Sequence, residues 1–132
     1  MSLDDGVLID FPEGLLGFPA LTQYRLLEPP DGYPLKFLQS VEQEDISFVV
    51  LDIAPLKPDY TVPLSAVEAE ALAIEKPEDA MVLTLVVVPK DLRQMTTNLA
   101  GPLVINARTK VGRQIALMGD QYPLRHPILG AP

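Results

Sequence analysis

Fourteen prolines in 132 residues, roughly twice the ~5% of average usage, constrain this chain more than any other feature. They fall between short apolar runs, and each removes a backbone donor and restricts the residue before it. Long helices are excluded by that spacing, and many short strands joined by turns are favoured. Seven segments rich in β-branched or aromatic residues read as strands: Val7 to Phe11, Gln23 to Leu27, Lys36 to Val41, Ile46 to Asp52, Met81 to Val88, Leu103 to Ala107 and Gln114 to Met118. Their number suits a barrel or sandwich. The expected fold is mainly β: a compact antiparallel β-barrel-like single domain over residues 1–132 with one short helix.

The run Ile46-Ser-Phe-Val-Val-Leu-Asp-Ile53 passes from alternation to continuous apolarity, so one end of this strand is expected to be wet and its middle covered on both faces. Met81 to Val88 reads as a central strand; it is far shorter than the ~20 residues needed to cross a bilayer. The single helix is expected within Pro63 to Ile74, where Leu64, Val67, Ala71 and Ile74 recur at helical spacing. Ser65 with Glu68 three residues on has the form of a capping box. Phe11, Phe18, Phe37 and Phe48 lie in apolar surroundings and read as core. The tail from about Tyr122 reads as extended and only partly ordered, available to contact a partner. The start of the chain lacks the basic and apolar stretches of an export signal, which points to a cytoplasmic protein.

With 48% hydrophobic residues the chain has enough apolar surface to fold alone, without the disulfides that its lack of cysteine rules out. Its net charge of −8 is unevenly divided: residues 1–80 carry 16 acids and 4 bases, a balance of −12, and residues 81–132 carry 2 acids and 6 bases, a balance of +4. Such an acidic excess repels phosphate backbones and favours a basic partner, so direct binding of nucleic acid is not expected.

Catalytic and metal chemistries find little support. His126 is the sole histidine and precedes Pro127 near the end of the chain, a poor place for a positioned triad base. Zinc sites of the usual kinds lack their ligands, no cofactor signature occurs, and Glu42-Gln-Glu-Asp45 has neither the order nor the trailing Glu of a calcium loop. Two alternatives stay open. One is a small carboxylate-dependent enzyme using Glu13, Asp52 or Asp59; the other is an oligonucleotide-binding barrel, which would need a basic face. A non-catalytic binding module is the better reading.

Several segments, in order, resemble the flagellar assembly factor FliW family: Phe11-Pro-Glu-Gly-Leu-Leu-Gly-Phe18, Phe37-Leu-Gln-Ser40 leading into Ile46-Ser-Phe-Val-Val50, Pro58-Asp-Tyr60, Glu78-Asp79, Thr97-Asn-Leu-Ala-Gly-Pro102 leading into Val104-Ile-Asn106, and Tyr122 with His126-Pro127. The resemblance implies a protein that binds two others, flagellin and the RNA-binding translational regulator CsrA, in a partner switch. It implies no catalysis and no cofactor. Against a basic regulator, Glu42, Glu44, Asp45, Asp52 and Asp59 form the expected acidic face, with Gln39 and Ser40 beside it. Thr97 and Asn98 complete the candidate partner-binding residues, Asn98 either shaping a loop or presenting polar groups. A closed barrel leaves no strand edge to cover, so a monomer is expected.

Overall fold

The computed structural model describes residues 6–29, 35–118 and 122–128. Among these residues nine strands form one sheet: β1 (Val7–Asp10), β2 (Gln23–Leu27), β3 (Leu35–Ser40), β4 (Ser47–Asp52), β5 (Ala80–Val87), β6 (Thr96–Thr97), β7 (Leu103–Asn106), β8 (Gly112–Gln114) and β9 (His126–Pro127). The first five follow one another as antiparallel neighbours. All five lie within two residues of the segments expected from the sequence.

At β5 the sheet forks. Its first half pairs with β7 (Ala80 opposite Asn106, Leu83 opposite Leu103), and its end pairs with β6 (Val86 opposite Thr97). Both branches share one edge because β5 has eight residues whereas β7 has four and β6 two. β7 continues into β8 and β6 into β9. Between the branches runs the Asn98–Pro102 turn, attached to the fork by Asn98 N–H donating to the Leu85 carbonyl at 2.9 Å.

The sheet curls but is not closed into a barrel. β1 meets the β7–β8 hairpin through one parallel bridge, Asp10 with Val111, where Asp10 N–H donates to the Lys110 carbonyl at 2.9 Å. The Glu13–Arg113 ion pair at 2.6 Å and the Leu16 N–H donated to Gln114 Oε1 at 2.8 Å extend this contact. Strand edges therefore remain, and the closed-barrel argument for a monomer does not apply.

One face buries Ile9, Phe11, Tyr24, Leu38, Val50, Leu83, Leu103 and Ile105 in the largest apolar cluster. Adjacent residues serve the other face: Leu51 joins Ile53 and Leu99 in a second cluster, flanked by Tyr60, Tyr122 and Ile128. Val50 and Leu51 thus explain the continuous apolar run of β4, since each of its faces is covered there. Its start, Ser47, is exposed.

Three expectations need correction. Phe37 is 43% exposed, on the face of β3 opposite the buried Leu38. The segment Gln114 to Met118 is strand only at its first residue, because Ile115 and Leu117 donate instead to the Pro102 and Ala100 carbonyls of the turn. Among the described residues there are two short helices, α1 (Ile53–Leu56) and α2 (Ala66–Ala71). Ser65 and Glu68 do form the capping box of α2, but Val67 is 73% exposed, so the helix does not bury the face that its spacing suggested. The tail segment 122–128 is attached to the fork: Leu99 N–H donates to the Pro123 carbonyl and Ile128 N–H to the Met95 carbonyl. Residues 30–34, and residues 129–132 of the tail, lie outside the described residues. Among the described residues no helix is long and apolar enough to cross a membrane.

Candidate protein-binding surfaces

The turn between β3 and β4 carries Glu42, Glu44 and Asp45, all exposed. Its shape is fixed from inside. Ser40 is buried and its Oγ accepts the Gln43 N–H at 3.0 Å; Gln39 Nε2 donates to the Glu44 carbonyl at 2.9 Å. Glu42 Oε1 accepts from Thr22 N–H at 3.0 Å and Gln23 N–H at 2.7 Å, tying the turn to the start of β2. Ser40, Gln39 and Glu42 hold the loop, and Glu44 and Asp45 lie at its tip. An ordered loop bearing carboxylates loses little entropy on meeting a cationic surface.

Asp52 and Asp59 do not belong to this group. β4 separates Asp52 from the turn by its full six residues, about 20 Å of extended chain. Asp59 lies beyond α1 and pairs with Lys57 at 3.5 Å. Glu13 in turn borders a separate hollow of about 320 Å³ with Arg113 and Gln114. Of the three carboxylates named for an enzyme, Glu13 and Asp52 thus line different depressions and Asp59 lines neither.

Asp52 instead borders a cleft of about 760 Å³, walled by Tyr60, Val62, Leu64, Ala69, Ile74, Met81, Val82 and Val104, with Glu75 and Lys76 at its rim. Helix α2 forms one wall. Buried Leu72 packs with Val104 and Ile115, and buried Asn106 donates through Nδ2 to the Leu72 and Ala73 carbonyls at 2.8 and 3.2 Å. Ala73 N–H donates to the Glu70 carbonyl and Ile74 N–H to the Ala69 carbonyl, with Ala73 at φ 55°. This is a Schellman ending in which alanine occupies the left-handed position usually held by glycine. The ring of Tyr60 stands at the other wall, its hydroxyl donating to the Leu99 carbonyl at 2.6 Å and its edge meeting Tyr122 with centroids 5.9 Å apart. Burial first, and the neighbouring Tyr122 second, push the Tyr60 hydroxyl up to about 12.

Thr97 is fully buried; its Oγ1 lies 2.6 Å from Thr84 Oγ1 and 2.9 Å from the Leu85 carbonyl. Asn98 is partly buried, and its Oδ1 accepts from Ala100 N–H at 2.9 Å and Gly101 N–H at 3.1 Å. Gly101 is confined by this arrangement: a Cβ there would lie 3.0 Å from Gln114 Nε2 and 3.2 Å from Asn98 Nδ2. The Thr97–Pro102 segment therefore builds the fork, with Thr97 Oγ1 and Asn98 Oδ1 engaged within the chain.

The cleft escaped the sequence reading. Its walls come from segments far apart in the chain, and each wall residue alone reads as ordinary core. Asn106 carried a usable signal, a polar residue ending an apolar strand before Ala-Arg-Thr-Lys, but that signal indicates a turn and says nothing of the helix it holds. The interior aromatics also bear on oligonucleotide binding: Phe48 packs edge-on against Phe18 at 5.5 Å and tilted against Tyr24 at 6.2 Å, where a stacking platform would face solvent.

Comparison with known proteins gives a consistent result. A family model described as FliW protein matches residues 1–128. The flagellar assembly factor FliW of Natranaerobius thermophilus is 40% identical over 129 residues, 97% of this chain and 85% of that protein. That of Alkaliphilus metalliredigens is 42% identical over 123 residues, 92% of this chain and 76% of that protein. A crystal structure of the flagellar assembly factor FliW superposes with a TM-score of 0.86 at 27% identity, covering 94% of this chain and 86% of that one.

Proposed function

The chain belongs to the FliW family of flagellar assembly factors, and on that premise we propose that it is a non-catalytic cytoplasmic regulator that binds flagellin and, in exchange, the translational regulator CsrA. When flagellin is abundant inside the cell it occupies this protein; after flagellin is exported, the freed protein binds CsrA and relieves its repression of flagellin translation. Such a switch needs only that each partner weakens the binding of the other, and a coupling of about 1 to 3 kcal/mol changes affinity some 5- to 150-fold.

The observation that carries the reading is the family match over residues 1–128, joined to an exposed acidic turn of fixed shape. CsrA binds RNA and must present cationic surface; Glu42, Glu44 and Asp45 at the β3–β4 turn are the surface we assign to it, with Gln39 and Ser40 as its supports. Carboxylates at an exposed turn speed encounter and make it salt-sensitive more than they add affinity. Asp52, at the far end of β4, and Asp59, beyond α1, lie apart from this turn. Thr97 and Asn98 contribute by holding the fork.

Calorimetric titration with CsrA and with flagellin from the same source, at low and high salt, tests this. Micromolar or tighter binding to both is expected, weakening with salt for CsrA, and each partner should lower the affinity for the other. Absence of binding to either would overturn the reading.

A further inference from the structure

Phe37 stands apart from the other aromatic side chains of this protein. Phe11 and Tyr24 are fully buried and Phe48 packs against Phe18 and Tyr24, whereas Phe37 is the one aromatic among the exposed large apolar residues described. It lies in the middle strand of three, opposite Leu27 on β2 and Val49 on β4. Both edges of β3 are therefore paired, and what this face offers a partner is side chains. One pleat on, the same face carries the row Leu8, Arg25, Gln39 and Ser47, of which Leu8 is 51% exposed.

A scattered exposed apolar residue needs no explanation, but this one belongs to a continuous surface. Phe37 and Gln39 share a face two residues apart, about 7 Å along the strand. Gln39 Nε2 donates to the Glu44 carbonyl, so the face around Phe37 runs without a break into the acidic turn. Charge then selects the occupant. From Gln39 to Ser47 the chain carries three acids, Glu42, Glu44 and Asp45, and no base. Arg25, across from Gln39, is the one base of this face among the described residues; Lys36 is on the opposite face, where it pairs with Glu28 at 3.3 Å. A partner that fits has an apolar spot bordered by Lys or Arg. Charges at the rim of such a contact set how fast the partners meet, and a desolvated aromatic at its centre sets how long they stay together.

We infer that Phe37 is the affinity anchor for the basic, RNA-binding partner: the exposed face of β2, β3 and β4 around Phe37 packs on an apolar spot of CsrA, while Glu44 and Asp45 meet cationic side chains beside that spot. The inference rests on the assignment of CsrA to the β3–β4 turn and goes beyond it by dividing the work. The turn governs association, and Phe37 governs dissociation. Because β3 is an interior strand, the partner lies on the face of the sheet and adds no strand to it.

Surface plasmon resonance of the full chain with purified CsrA separates the two contributions. Phe37→Ser should speed dissociation roughly tenfold or more, hold association within about twofold, and leave the salt dependence of affinity as in the wild type. Glu44→Lys combined with Asp45→Lys should instead slow association and flatten the salt dependence, with dissociation little changed. Should Phe37→Ser lower the melting temperature, Phe37→Trp carries the test. It keeps an aromatic at this position in a chain that holds no tryptophan of its own. Its emission should move to shorter wavelength, and its quenching by acrylamide should fall, when CsrA binds. Unchanged dissociation in Phe37→Ser overturns the proposal, as do emission and quenching of Phe37→Trp that ignore bound CsrA. Loss of flagellin binding in Phe37→Ser with CsrA affinity intact also overturns it, since the face would then belong to the other partner. Titration of the wild type separates this inference from the partner switch. Binding of CsrA that depends on Glu44 and Asp45 but not on Phe37 would overturn the anchor alone. Binding of CsrA that depends on Phe37, with no binding of flagellin, would uphold the anchor and overturn the switch. Binding of neither protein would overturn both.

Discussion

Two asparagines of this protein make the same turn under different loads. Asn98 Oδ1 accepts the N–H groups two and three residues ahead at 2.9 and 3.1 Å, and Asn106 Oδ1 does the same with Arg108 and Thr109 at the same distances. There the likeness ends. Asn98 is partly buried and its carboxamide shapes the loop at the fork of the sheet. Asn106 is 1% exposed, and its Nδ2 also reaches the carbonyl end of α2, joining a helix to a strand more than thirty residues away in sequence. An identical local motif can thus be a turn and nothing more, or the fastening of a whole element; burial and the second half of the amide decide which.

The comparison breaks most readily at Asn106. Asn106→Ala removes four hydrogen bonds and strands two helix-end carbonyls, for an expected loss of about 3 kcal/mol in urea denaturation. A loss below about 1 kcal/mol would mean that Leu72 alone holds α2 and that the two turns are equivalent after all. Asn98→Ala should cost less, about 1 to 2 kcal/mol, and leave the affinities for flagellin and CsrA unchanged. Lost partner binding at unaltered stability would move Asn98 from the frame to the interface.

Ala73→Gly sharpens the same contrast from the helix side. At φ 55° alanine carries the left-handed penalty, and glycine removes it while adding entropy to the unfolded chain, for a net gain of about 0.5 to 1 kcal/mol. A loss would show that the Schellman ending does not persist in solution. Tyr60 tests how the loop at Asn98 is tied to the cleft wall. Its hydroxyl is held neutral up to about 12 by burial, so the folded state keeps a proton that the unfolded state releases near 10. The resulting stability is complete below pH 10 and is lost as pH rises towards 12; Tyr60→Phe should remove that part of the alkaline fall, read as melting temperature against pH. Smallest in stability is the acidic turn. Reversing Glu44 and Asp45 to lysine should shift stability by no more than about 0.5 kcal/mol while flattening the salt dependence of CsrA binding.

The strands of the first half were legible because apolar runs bounded by prolines leave few other folds open, and Ser65 with Glu68 announced the start of α2 by a spacing only a helix uses. Phe37 was misread for a definable reason. Along β3 the chain alternates, so Phe37 and Leu38 must face opposite ways, and two apolar neighbours cannot reveal which is inside. The strands β6 and β9 have two residues each, below the length at which periodicity exists. In the candidate site the adjacent acids Glu42, Glu44 and Asp45 were legible as one group because a turn keeps neighbours together. Asp52 and Asp59 were grouped with them by charge alone, and the length of β4 separates them.

The seam between β1 and β8 bears on how the chain acquires its shape during synthesis. The five strands of the meander pair with sequence neighbours, whereas the bridge from Asp10 to Val111 closes a loop of about a hundred residues, the costlier and later event. A chain emerging from the ribosome N-terminus first can complete its meander while the outer edge of β5, destined for β6 and β7, still awaits its partners. For that interval the nascent protein presents an apolar, unpaired strand edge, and pulse-labelled hydrogen exchange on refolding should find the amides of β7 and β8 protected after those of β2 to β4.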